Sequence, residues 1–187
     1  MKKHQICTVI ALAGGMLMSN LYAKEANKIT TPEVNAVSVT RSGSFELDMT
    51  PDVAFPLFTG PGEALWVPNW NPTIFKGDGF EKGTVWQTNN HGSTTTWMVL
   101  EYNTETRHAQ YLRMTPNYDV GTIDVTLTPN EHDGSIVNVT YELTALGEDR
   151  NQELANWSEE AYAQELKEWR ELIINARDKI DTYFAKL

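Results

Sequence analysis

The chain has 187 residues, a formal net charge of −10 and one cysteine, Cys7. A surface this acidic repels phosphate backbones and anionic headgroups, which excludes nucleic acid as a natural partner and points first to a solubilising exterior. One cysteine allows no internal disulfide, so stability has to come from a packed core.

Met1 to Ala23 begins with Lys2 and Lys3, continues in an apolar run from Ile6 to Met18, and ends on the small residue Ala23. That order is the pattern of a cleaved secretory signal. The run is about 13 residues, short of the roughly 20 that a spanning helix requires, so no stable membrane anchor is expected after cleavage. Leu21 is bulkier than the usual residue three positions before the cut. Cleavage removes two lysines, no acid and Cys7, leaving 164 residues with a charge of −12. Thiol catalysis and cysteine metal sites are then excluded, and the expected location is periplasmic or secreted.

Residues 24–35 read as a flexible polar leader, and 36–187 as a single domain. From Ala36 to Leu47, Val37, Val39, Phe45 and Leu47 alternate with polar residues, which predicts a strand with one buried face, bent at Gly43. Thr50 as N-cap and Pro51 at the first helical position start a short helix through Phe58, stopped at Gly60. An aromatic crossing follows, Gly62-Glu-Ala-Leu-Trp-Val-Pro-Asn-Trp-Asn-Pro, and then Gly77, Gly79 and Gly83 space a turn.

Five strand-like runs come next: Thr84 to Asn89, Thr94 to Asn103, Arg107 to Thr115, Asp119 to Thr128 and Ser135 to Ala145. Their short connections predict an antiparallel meander, with Ile123, Val125 and Leu127 sharing a buried face with Val137, Val139, Tyr141 and Leu143. The chain closes with a predicted helix from about Asn151 to Phe184, whose apolar stripe runs through Leu154, Trp157, Leu166, Trp169, Ile173 and Ile180. At 1.5 Å per residue it would reach roughly 45 Å, across the whole sheet. The fold class is α+β: a curved antiparallel sheet of about six or seven strands wrapped around a long C-terminal helix.

This order resembles the helix-grip fold of the START-like (SRPBCC) superfamily, and within it the polyketide cyclase/dehydrase and lipid-transport group. The resemblance rests on Thr50-Pro-Asp-Val-Ala-Phe-Pro-Leu-Phe, Trp66-Val-Pro-Asn-Trp-Asn-Pro, the segment from Gly77 to Thr84, Thr96-Trp-Met-Val-Leu-Glu-Tyr and Tyr141-Glu-Leu-Thr-Ala-Leu-Gly, and it spans about residues 36–185. It implies a cavity between sheet and C-terminal helix that takes an apolar ligand. The implied lining is Trp66 and Trp70 from the crossing, Trp86, Met98, Tyr111 and Arg113 from the hairpin strands, Tyr141 from the last strand, and Tyr162 and Trp169 from the final helix. A one-residue slip of register would exchange the faces. Plain core packing is the competing reading for each tryptophan.

A hairpin turning at Thr104-Glu105 sets Glu101 opposite His108 on one face and Thr96 opposite Arg113 on the other. The apolar company of Met98, Leu100 and Tyr111 favours Arg113 inward, as a cation for a ligand carboxylate or enolate oxygen. Glu101 and His108 then form a surface pair. Arg41, in phase with Val39 and Phe45, either points inward as a second cation or turns out to water beside Gly43. No His-x-His, His-Glu-x-x-His, Gly-x-Ser-x-Gly or phosphate-binding glycine motif occurs, so no metal and no cofactor is expected. His91 and His132 read as turn residues facing water. The expected function is a binding protein for a hydrophobic or amphipathic small molecule, lipid-like or polyketide-like. One alternative is a cyclase or dehydratase using the same cavity. Another is a protein-interaction module with an apolar groove, which an exposed tryptophan cluster at Trp66 and Trp70 would mark.

Overall fold

A computed structural model describes residues 34–90 and 92–186. The expected secretory signal, most of the expected leader and His91 lie outside the described residues. Seven strands form one antiparallel sheet: β1 Ser38–Leu47, β2 Thr73–Lys76, β3 Val85–Asn90, β4 Ser93–Asn103, β5 His108–Thr115, β6 Asp119–Pro129 and β7 Ser135–Ala145. Their order in the sheet is β1-β7-β6-β5-β4-β3-β2. The meander from β3 to β7 is as expected from the alternation, and β1 closes onto β7 in unbroken register from Ser38↔Thr144 to Leu47↔Ser135. β2 was not expected. All four of its residues are exposed, so it has no buried face to betray it and exists by pairing with β3.

One face of the sheet carries the core. Val125 lies opposite Val139 and Leu127 opposite Val137, all buried, each contributing about 1.5–3 kcal/mol of transfer free energy. Pairing runs through Gly43↔Val139 without a bulge. Gly43 serves for close approach: a Cβ there would come within 2.6 Å of Leu166 Cδ1 on the covering helix.

The segment after β1 folds as three helical turns: α1 Pro51–Ala54, a 3-10 turn Phe55–Phe58, and α2 Gly60–Glu63. Pro51 occupies the first position as expected, but the Thr50 side chain makes no capping bond. Gly60 starts α2 rather than ending the helix before it. Thr59 caps α2, its Oγ1 accepting from Gly62 N at 3.0 Å while its hydroxyl donates to Pro56 O at 2.8 Å.

The C-terminal region is helical in three pieces rather than one: α3 Glu148–Asn156, α4 Glu159–Asn175 and α5 Arg177–Phe184. Trp157 is extended, and Ser158 restarts the helix by accepting from Ala161 N at 3.1 Å, with Glu159 and Glu160 in the first turn. The 17 residues of α4 span about 25 Å, and Tyr162, Leu166 and Ile173 seat it on the sheet. This is the α+β helix-grip arrangement, with α4 as the gripped element. No described helix is long and apolar enough to cross a membrane.

Candidate functional site

Three of the tryptophans and tyrosines implied as ligand contacts are architecture. Trp66 and Trp70 are buried, and their indole N–H groups donate to Leu57 O and Gly60 O, both at 2.8 Å. They fasten the crossing to α1 and α2, so the exposed cluster that would mark a protein-interaction module is not there. Tyr162 is buried, and its hydroxyl donates to Val139 O at 3.0 Å.

The β4–β5 register differs from the expected one, and a bulge is the reason. Near the turn Asn103 pairs with His108 and Glu101 with Gln110; beyond a register shift between Val99 and Glu101, Val99 pairs with Tyr111, Met98 with Leu112 and Trp97 with Arg113. The extra residue exchanges the faces of β4 on its two sides. Met98, expected inside, therefore sits on the outer face, 37% exposed. Leu100 falls at the bulge, and Trp97, not expected at the site, takes the inner position. Arg113 and Tyr111 face inward as expected. Glu101 and His108 share the outer face, where His108 Nε2 lies 2.9 Å from Asp124 Oδ1 and its Nδ1 3.5 Å from Glu101 Oε1. The bond to Asp124 is the main cause of a raised His108 pKa.

Between sheet and α4 lies a small cavity of about 20 Å³, walled by Phe58, Trp86, Trp97, Tyr111, Tyr141 and Trp169, with Glu63, Ile123 and Val125 completing it. That is room for about one water-sized group. The resemblance implied a larger space; here the aromatic rings fill it. Trp86 and Trp97 stack with centroids 6.0 Å apart and planes 4° apart, and Tyr111 meets Trp86 edge-on at 5.8 Å.

Three residues that carry polar groups line this aromatic chamber. Trp86 Nε1 and Tyr111 Oη are buried and have no hydrogen-bond partner in the protein. Each such group costs about 1–3 kcal/mol when left unmet. The third is Glu63, the last residue of α2. It keeps some accessible surface, yet the protein packed round its carboxyl dominates, and burial pushes its pKa up to about 8. At neutral pH it is mainly the neutral acid, able to donate. Burial, and then the proximity of Glu63, raises Tyr111 well above the ordinary phenol range, so it too stays protonated. Gly60 sets the position of Trp86 against this helix: a Cβ at Gly60 would lie 2.8 Å from Trp86 Cε2.

Tyr141 lines both this chamber and a wider cleft of about 380 Å³ that opens between the sheet and α3–α4. The cleft is bounded by Leu143, Trp157 and Ala161 on its apolar side and by Arg113, Arg150, Glu153 and Glu165 on its polar side. Trp157 meets Tyr141 edge-on at 6.1 Å and donates from Nε1 to Glu165 Oε1 at 2.8 Å. Arg113 is not a free cation. Its Nη1 donates to Asp119 Oδ2 at 3.2 Å, where Arg150 Nε also donates at 2.9 Å, and its guanidinium lies 5.7 Å from the Trp97 ring centroid. Asp119 is fully buried, so it offsets the burial of both cations. Arg41 does point inward, but it is committed to structure: its Nε and Nη2 donate to Trp157 O, holding the break between α3 and α4. Among the described residues no group of three His, Cys, Asp or Glu side chains is placed to hold a metal ion.

Of the nine residues the resemblance implied, Trp86, Tyr111, Tyr141 and Trp169 therefore meet at the chamber and Arg113 at the cleft. Glu63, Trp97 and Trp157 were missed.

Comparison with known proteins agrees with this architecture. The family described as polyketide cyclase / dehydrase and lipid transport matches residues 36–173. Among solved structures, Ara h 8.0201 superposes with a TM-score of 0.54 at 16% identity, covering 81% of this chain and 100% of that one. Norcoclaurine synthase from Thalictrum flavum superposes with a TM-score of 0.54 at 13% identity over 92% of this chain and 99% of its own. A complex of that synthase with dopamine and hydroxybenzaldehyde gives a TM-score of 0.54 at 14% identity over 79% and 95%. At these identities the likeness is one of fold. No curated protein sequence matches the chain.

Proposed function

We propose, for a chain that belongs to the polyketide cyclase/dehydrase and lipid-transport family, that it binds a hydrophobic or amphipathic small molecule, lipid-like or polyketide-like, between the sheet and the C-terminal helices. It acts as a carrier or sensor after export to the periplasm or beyond. The observation that carries this reading is the aromatic chamber whose Trp86 Nε1 and Tyr111 Oη have no partner in the protein. A fold tolerates two such groups side by side when something else partners them in use. The chamber holds only a tip, so the ligand body lies in the cleft on the other side of Tyr141. Tyr141 lines both spaces, so it is the side chain that has to turn for a ligand to reach from the cleft into the chamber. The synthase complex with dopamine and hydroxybenzaldehyde offers a precedent for small aromatic molecules on this fold.

The test is native mass spectrometry of the protein recovered from its own periplasm, followed by solvent extraction. An apolar or amphipathic mass at one per chain supports the reading, whereas a clean ligand-free mass from every preparation refutes it as a carrier. N-terminal sequencing of the same sample checks export, with a start after Ala23 as the expected result.

A cyclase or dehydratase is the second reading. The observation that favours it is Glu63, a neutral acid beside Tyr111 in a water-poor chamber, which suits proton donation to a substrate oxygen. Turnover of an added polyketide-like substrate that vanishes in Glu63→Gln, with binding retained, separates this reading from the carrier.

A further inference from the structure

The chamber is unbalanced in its hydrogen-bond chemistry. Trp86 Nε1 can only donate. Tyr111 Oη, protonated and without a partner, has a hydrogen to give. Glu63 adds an O–H in its neutral form. Against these three donors the remaining walls are aromatic and aliphatic, and no lysine or arginine lines the chamber. Arg113 lines the cleft instead, where its Nη1 donates to Asp119.

Each kind of ligand tip fares differently here. A carboxylate would lose its hydration without meeting a cation, beside a residue that becomes an anion when it ionises. A hydrocarbon tip would leave the indole and phenol donors unmet. A hydroxyl can accept too, but its own hydrogen must then be placed on the Tyr111 or Glu63 oxygens, a demand that a carbonyl does not make. A neutral carbonyl oxygen has two lone pairs and no hydrogen, and a single oxygen suits a cavity of about 20 Å³.

We propose that the inner chamber is a receptor for one neutral acceptor oxygen, the carbonyl of a hydrophobic ketone, ester or quinone, held by Trp86, Tyr111 and Glu63 while the ligand body occupies the cleft beyond Tyr141. This rests on the ligand-binding reading above and narrows its ligand class. Selection follows from unmet donors: an analogue lacking the oxygen leaves them unpaired.

Isothermal titration of the mature chain at pH 7 with three probes of one shape tests it: 2-acetylnaphthalene, 2-ethylnaphthalene and 2-naphthoate. The ketone is expected to bind about tenfold or more tighter than the other two. In Tyr111→Phe, which deletes only the hydroxyl, the ketone falls to within about threefold of the hydrocarbon. Glu63→Gln keeps the preference, since a carboxamide still donates, and Glu63→Leu weakens it. With a ¹³C-labelled carbonyl, the bound ketone resonance moves downfield in the wild type and returns in Tyr111→Phe. Equal affinities for ketone and hydrocarbon, or tightest binding of the naphthoate, overturn the acceptor-oxygen receptor while leaving ligand binding standing. If none of the three binds up to its solubility limit, the ligand-binding reading falls and this inference with it.

Discussion

Trp66 and Trp70 on the crossing, and Trp86 and Tyr111 on the sheet, are all at least nine-tenths buried, yet they differ in one respect. The first two spend their N–H groups on Leu57 O and Gly60 O, whereas the polar atoms of the second two meet no protein acceptor. Burial alone cannot tell architecture from site in a chain rich in aromatics. An unmet polar atom beside a cavity separates these rings, and the cavity is part of the criterion, because Thr84 Oγ1 and Ser135 Oγ are also buried and unmet without lining the chamber or the cleft.

That contrast is sharpest at the extremes. Trp66→Ala removes a ring packed at 6.2 Å from Phe58 and 5.6 Å from Trp169 and strands Leu57 O, so urea unfolding is expected to show a loss of about 3–5 kcal/mol.

Next in size is Glu63. Its carboxyl sits near 8 in the folded protein against an ordinary 4.5, so between these values the unfolded chain releases a proton that the folded chain keeps. Stability therefore falls as pH rises from about 4.5 to about 8, with no contribution below and the full cost above. The partial exposure of the residue discounts the cost to about 2–4 kcal/mol. Subtracting the pH profile of Glu63→Gln from that of the wild type isolates this slope from the weaker one of His108, which falls in the same direction because the pKa of that imidazole is also raised. A flat difference profile would place the Glu63 carboxyl in water, and one that rises with pH would mean a carboxylate stabilised by the fold; either contradicts burial of the acid.

Gly60→Ala presses a methyl onto the Trp86 ring, and about 1–3 kcal/mol is expected in thermal unfolding, together with weaker ligand binding because Trp86 shifts. The smallest effect has the opposite sign. Tyr111→Phe deletes an unmet hydroxyl and is expected to stabilise the ligand-free protein by about 1 kcal/mol.

The residues that were readable in the sequence share a property: their pattern is local. Ser135–Ala145 alternates without interruption and is found at the bounds its residues predict, and the order of the meander follows from its short turns. What was hidden depends on long-range packing or on a single inserted residue. Thr73–Lys76 has no buried face to alternate. The bulge between Val99 and Glu101 leaves no mark in the pattern, and it alone sends Met98 out and Trp97 in. The stripe through Leu154, Trp157 and Leu166 keeps helical spacing across the break at Trp157, although Ser158-Glu159-Glu160 is a helix start that the periodicity masked. Glu63 looks like a solvated helix position in Gly-Glu-Ala-Leu-Trp. It shares the chamber wall with Trp86, Tyr111 and Tyr141, which lie on three strands that the sequence does not place beside it.

The central claim, that unmet polar atoms of cavity-lining residues rather than burial alone mark the site, is tested most directly by Tyr111→Phe measured two ways on one preparation: thermal unfolding of the stripped protein, and retention of cargo in native mass spectrometry after expression in the periplasm. The account predicts an unfolding temperature equal to or above that of the wild type, with cargo lost or markedly reduced. A variant that unfolds at lower temperature yet keeps its full complement of cargo would contradict it, and would make Tyr111 one more ring of the core.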